Sequence, residues 1–184
     1  MTTLAEQDGW LASATICVSP NFNQRPPGTE ISLLVIHNIS LPPGQFGAGH
    51  IQEFFCNKLD VSKHPYFETI QSLEVSSHLL IDRGGAVVQF VSLFDRAWHA
   101  GRSVFEGCEE CNDFSLGIEL EGDDNTPYTA EQYQSLAAVT RELQQRFPAI
   151  TRERITGHSD IAPGRKTDPG PAFDWARYLG KLDF

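Results

Sequence analysis

The residues most able to do chemistry lie at two places far apart in the chain. His37 follows the apolar run "LLVI" and precedes "NISLPPG", and His158 follows "ERITG" and opens the segment "GHSDIAPGRKTDPG", 157–170. That segment gathers His158, Lys166 and Asp168 between glycines and prolines, which disfavour helix and sheet and read as loop. Pro169 biases Asp168 away from helix, and extended backbone places Lys166 and Asp168 on one side. Two neutral imidazoles and one carboxylate are a donor set for Zn²⁺ with one coordination position left open to water, the arrangement of a hydrolytic rather than a structural zinc. Each residue also has a plainer reading. A histidine at a strand end is often a packing residue, and Lys166 can be a solvated loop lysine. Spacing alone leaves both readings open.

The elements that must position these groups are legible from periodicity. "SLLVIH", 32–37, is β-branched and apolar on both faces, which predicts a central buried strand ending at His37. "SSHLLIDRGGAVVQFV", 76–91, predicts a hairpin turning at Gly84 and Gly85. In "SLGIELEG", 115–122, Leu116, Ile118 and Leu120 alternate with Gly117, Glu119 and Glu121. A strand with its polar face in solvent would show the same pattern, so Glu119 is ambiguous in the way His37 is. "TAEQYQSLAAVTRELQQRF" predicts a helix with Thr129 as N-cap, Gln132 completing a capping box and Pro148 as its stop. Shorter helices are expected in "HIQEFFCNKL" and "AFDWARYLGKL". Sheet with helices packed on it, α/β or α+β, is the class these elements define.

Composition narrows the function classes. The chain has 184 residues, 40% hydrophobic and 21% charged, without repeats or low-complexity tracts, which suits one globular domain. A net charge of −10 with no clustered Lys or Arg argues against a nucleic-acid surface. No apolar run approaches the roughly 20 residues needed to span a bilayer, and "MTTLAEQDGWLASA" has no basic or apolar signal region, so a cytoplasmic protein is expected. Cys17, Cys56, Cys108 and Cys111 then read as reduced thiols. The pair in "GCEECND" has C-x-x-C spacing, but the two glutamates between the thiols would raise their pKa, against redox chemistry.

"LLVIHNISLPPGQFG", "RAWHAG", "CNDFSLGIELEG", "YTAEQY" and "GHSDIAPGRKTDPGPAFDWAR" together resemble, in this order, the cytoplasmic 1,6-anhydro-N-acetylmuramyl-L-alanine amidases of bacterial cell-wall recycling. These belong to the wider zinc amidase group of the peptidoglycan recognition proteins and phage T7 lysozyme. The resemblance runs from about Ser19 to Trp175. It implies a single amidase domain over 1–184, a central mixed β-sheet flanked by helices, and one catalytic Zn²⁺ per chain in a groove on the sheet. His37, His158 and Asp168 would be the metal ligands. Glu119 would be the general base and Lys166 would stabilise the oxyanion. Asn38 and Trp98 would line the substrate groove, Trp98 being equally readable as core. The substrate implied is a 1,6-anhydro-N-acetylmuramyl peptide, with no nucleic-acid or membrane partner.

His99 and His78 read as structural residues or as hydrogen-bond partners of a ligand imidazole, and His50 and His64 as chemically idle. In one respect the chain departs from the family. Just before "VSSH" and "CND", where arginines can meet the stem-peptide carboxylates, it has Glu74 and Glu110. A carboxylate facing a carboxylate repels, so either Arg83, Arg102 or another cation compensates, or the preferred peptide differs, or these glutamates face solvent. A wall amidase outside recycling would share the zinc chemistry, whereas a non-catalytic binding module would be expected to have lost a ligand or Glu119.

Overall fold

The computed structural model describes residues 9–182; the first eight residues, part of the N-terminal stretch read above for targeting signals, lie outside that range. Ten strands are present: β1 (Thr15–Ile16), β2 (Phe22–Gln24), β3 (Leu33–Ile39), β4 (Leu79–Ile81), β5 (Val87–Gln89), β6 (Asp95–Ala97), β7 (Val104–Phe105), β8 (Cys108–Glu109), β9 (Ser115–Glu121) and β10 (Ile155–Gly157). Six of them form one mixed sheet in the order β1-β5-β4-β9-β3-β10. Strands β4, β9, β3 and β10 run parallel to one another, and β5 is antiparallel to β4. Five α-helices occur among the described residues: α1 (His50–Phe55), α2 (Pro65–Ile70), α3 (Ala130–Arg146), α4 (His158–Ile161) and α5 (Trp175–Leu179).

Strand alternation decides what each face of the sheet meets. Leu34, Ile36, Leu116, Ile118 and Leu120 turn toward α3 and α5, packing with Leu136, Leu143, Tyr133 and Tyr178. On the other face Leu80 and Phe90 meet Phe54 and Phe55 of α1 and Phe67 and Ile70 of α2. Leu34, Ile36, Leu116 and Ile118 are wholly inaccessible, and each such side chain contributes about 1.5–3 kcal/mol of burial free energy.

The long helix begins as its sequence predicts. Thr129 accepts from the Gln132 N–H while the Gln132 side chain accepts from the Thr129 N–H, a complete capping box. The hairpin is also present, with the Asp82 carboxylate accepting from Gly84 and Ala86 N–H groups in its turn, although its strands are shorter than the apolar run.

Two expectations are corrected, and one open alternative is settled. The helix expected through Leu59 ends at Phe55, because Asn57 takes a left-handed conformation (φ 56°) and exchanges side-chain amide hydrogen bonds with Asn21. The segment after Gly157 is not all loop: His158–Ile161 forms one helical turn, within which Asp160 reaches back to accept from the Gly157 N–H and the Thr156 hydroxyl. A solvent-facing side of β9 is absent, since all seven of its residues are buried. Helix α2 had no clear periodic signal; Pro65 at its start and His64 accepting from the Tyr66 N–H set it.

Candidate active site

The register of the parallel strands places the chemistry. His37 near the end of β3 lies directly beside Glu119 of β9, and β10 delivers His158 immediately after Gly157, which pairs with Ile36. Three neighbouring strands therefore present their carboxyl ends at one place, where open α/β sheets commonly bind ligands. Asp168 returns to this point because its carbonyl accepts from the Ser159 N–H at 2.9 Å.

His37 Nδ1, His158 Nδ1 and Asp168 Oδ2 converge. The two imidazole nitrogens are 3.0 Å apart and stand 3.0 and 3.1 Å from the carboxylate oxygen. Among the described residues these three form the one group of histidine, cysteine and carboxylate atoms arranged to hold a metal ion. The far nitrogens indicate where the protons sit. His158 Nε2 donates to the Ala100 carbonyl at 3.0 Å, and a neutral imidazole has one N–H to give. The lone pair of His158 Nδ1 therefore faces His37 Nδ1 and Asp168 Oδ2. His37 Nε2 meets His99 Nδ1 at 2.9 Å, and His99 Nε2 meets the Ser115 hydroxyl at 3.0 Å. With the proton of His37 on Nε2, its Nδ1 lone pair joins the same focus. Lone pairs crowded this closely repel unless a cation lies among them, so the donor set fits a metal ion.

The protonation states agree with that fit. Burial lowers the His37 pKa to about 4, partly opposed by the nearby Asp168 carboxylate. Burial would raise Asp168, but its close contacts with the His158 and His37 rings overcome it and hold the carboxyl well below its usual range. His78 and His99 are likewise kept neutral, first by burial and then by nearby positive groups. His99 thus supports a ligand imidazole, and His78 accepts from the Gly117 N–H one layer further in.

Glu119 is the anomalous carboxylate. It is 8% exposed, and its Oε2 is buried without a hydrogen-bond partner. Burial raises its pKa well above the usual value, the Asp168 charge adds to this, and Lys166 opposes it. Such a carboxyl takes up a proton more readily than an ordinary one, as a general base requires. Lys166 forms no ion pair among the described residues and reaches the same groove.

That groove has a volume of about 540 Å³ and includes all five residues expected to do chemistry. Asn38 and Trp98 also line it. Asn38 uses its amide N–H groups internally, donating to Asp124 Oδ1 and to the Pro169 carbonyl. Trp98 donates its indole N–H to Asn23 at 2.7 Å, which fixes the ring at the groove's edge. Sequence reasoning did not identify Asp123, Asp124 and Asn125, nor the apolar wall of Leu41, Phe54 and Tyr66. Nothing in their types distinguishes them from ordinary loop and core residues. Glu110 lies outside the groove, 60% exposed and paired with Arg96 at 3.2 Å, while Glu74 lines an adjoining pocket of about 340 Å³. His50 pairs with Glu53 and His64 caps α2, both outside the His37–His158–Asp168 group. Cys111 is buried, which raises its thiol pKa, the opposite of what a reactive thiol needs. No described helix is long and apolar enough to cross a membrane.

A mixed sheet that gathers a His-His-Asp group able to hold a metal ion and a buried carboxylate at its strand ends has the form of a hydrolase site, and comparison with known proteins gives the class. Residues 27–171 match the N-acetylmuramoyl-L-alanine amidase family, and the chain belongs to it and is an amidase. It is 52% identical to the 1,6-anhydro-N-acetylmuramyl-L-alanine amidase AmpD of Haemophilus influenzae over 96% of both chains. With the AmpD of Escherichia coli it shares 55% identity over 94% of this chain and 93% of that protein. A crystal structure of a selenomethionine AmpD derivative superposes with a TM-score of 0.93, at 55% identity, over 96% of this chain and 98% of that one. AmiD of E. coli, solved with anhydro-N-acetylmuramic acid-L-Ala-D-γ-Glu-L-Lys, gives a TM-score of 0.61 at 28% identity, over 86% of this chain and 60% of that one.

Proposed function

We propose that the chain, as one amidase domain over residues 1–184, hydrolyses the amide bond joining 1,6-anhydro-N-acetylmuramic acid to L-Ala of the stem peptide, in cytoplasmic recycling of peptidoglycan. Near full-length similarity to the AmpD amidases supports the substrate and the setting. His37, His158 and Asp168 would hold one Zn²⁺, which when bound supplies Lewis acidity to polarise the amide carbonyl and acidify water.

The remaining work belongs to the chain's own groups. Glu119 takes a proton from the attacking water at Oε2 and delivers it to the departing amide nitrogen of L-Ala, for which a raised pKa is suited. Lys166 meets the negative charge that grows on the carbonyl oxygen as its carbon becomes tetrahedral. Asn38 holds the segment after Asp168 in place through the Pro169 carbonyl, and Trp98 offers a ring edge to substrate. The observation that carries this reading is the unpartnered, buried Glu119 oxygen beside a convergent His-His-Asp set. A binding module of the same fold needs no such base.

The test is incubation of purified protein with 1,6-anhydro-N-acetylmuramyl-tripeptide, with and without a zinc chelator, followed by mass spectrometry. Free tripeptide and anhydro-muramic acid are expected, lost on chelation and restored by Zn²⁺. An intact substrate in the zinc-loaded sample would overturn the proposal.

A further inference from the structure

The loop between β3 and α1 forms part of the groove wall through Ser40, Leu41 and Pro43. It also contains Gly44, Gly47 and Gly49, all at positive φ and with open space where a Cβ would stand. Glycines used in this way leave a loop with many accessible conformations. Among the described residues, one hydrogen bond ties residues 42–49 to a distant part of the chain: Gly47 N–H donates to Glu121 Oε1 at 2.6 Å. The second oxygen of the same carboxylate, Oε2, accepts from the Arg83 N–H at 3.2 Å. The Arg83 guanidinium lies 5.0 Å over the Phe46 ring, next to Gly47, and donates to the Pro127 carbonyl at 2.8 Å. Glu121 is itself 5% exposed, so its carboxylate acts with little competition from water.

We infer that Glu121, with Arg83 and Phe46, is a latch that holds the β3–α1 loop in place as a wall of the substrate groove. Glu121 is a positioning residue two positions beyond the base Glu119 on the same face of β9. The latch acts before chemistry, by reducing the number of conformations from which the groove must be assembled when substrate binds. The kinetic consequence rests on the amidase reading above.

Two variants test it in the zinc-loaded protein. Glu121→Gln leaves two N–H donors facing a side chain that has one acceptor oxygen and an N–H₂ group. Phe46→Ala removes the ring under the guanidinium at a half-exposed position, where folding is not threatened. Hydrogen exchange of residues 42–49 is expected to quicken in both, and KM for the anhydro-muropeptide to rise about tenfold, equivalent to ~1.4 kcal/mol, with kcat unchanged. Exchange equal to wild type in both variants would overturn the latch, as would a fall in kcat at constant KM or quickened exchange with KM unmoved. A wild-type protein without turnover would defeat the amidase reading alone, and the exchange measurement would still decide the latch.

Discussion

Gly117 offers the sharpest test of how the proposed metal ligands are held. A Cβ added there would stand 2.6 Å from Cγ and Nδ1 of the His99 ring, where ordinary contact begins at 3.4 Å. The ring would have to retreat by about 0.8 Å, and it has no free direction, since His37 Nε2 holds one nitrogen at 2.9 Å and Ser115 the other at 3.0 Å. In Gly117→Ala the support of His37 is therefore disrupted. Loss of such a partner typically weakens metal binding by about 10–100-fold, or ~1.4–2.7 kcal/mol, and overpacking lowers the stability of the metal-free protein by about 1–3 kcal/mol. Zinc affinity by chelator competition and urea denaturation measure the two effects. The mechanism also predicts non-additivity: once His99→Ala has removed the ring, the added methyl should cost much less, giving a coupling of about 1 kcal/mol or more. Additive effects, or a Gly117→Ala protein with wild-type zinc affinity, would refute the reasoning.

Glu119→Gln should lower kcat/KM by about 10²–10⁴ with zinc content unchanged. The same variant should raise the Tm of metal-free protein increasingly as pH rises above the free-carboxyl value, because the folded pKa of Glu119 is raised and its ionised form is the disfavoured one. His78 works with the opposite pH sense: its folded pKa is lowered from 6.5 to about 3, so below pH 6.5 the unfolded chain takes up a proton that the folded one does not. Stability to urea should fall between pH 6.5 and about 3, by up to ~1.4 kcal/mol per pH unit for this group, and His78→Gln should flatten that slope by about one proton.

The strands and the capped helix were legible because their signals are local. "LLVIH" shows a two-sided buried strand, and Thr129 with Gln132 marks a helix start wherever it occurs. The environment of Glu119 was not legible, because alternation along β9 shows which residues share a face and says nothing of what covers that face. His99 stands against Gly117 on that face and, with the segment from Lys166 to Asp168, lines the groove beside Glu119, and all come from elsewhere in the chain. The helical turn at His158 was hidden for a related reason. Its cap, Asp160, serves a strand-end N–H in a segment otherwise full of turn residues.

The proposed base and ligands are consequently held by different kinds of structure. Glu119 stands beside His37 through a parallel backbone ladder, so their separation follows from the spacing of paired strands, about 4.8 Å, and not from any loop. His158 and Asp168 reach the same point through a helical turn and a turn-rich segment, fastened by the Ser159 N–H to the Asp168 carbonyl and by Asn38 to Pro169. Changes in the 157–170 segment should therefore act first on metal affinity, whereas the proximity of base to ligand persists as long as β3 and β9 stay paired. A hydrolase gains from this division, since the placement of a base at the reacting centre tolerates little error, and here it follows from the pairing of two central strands.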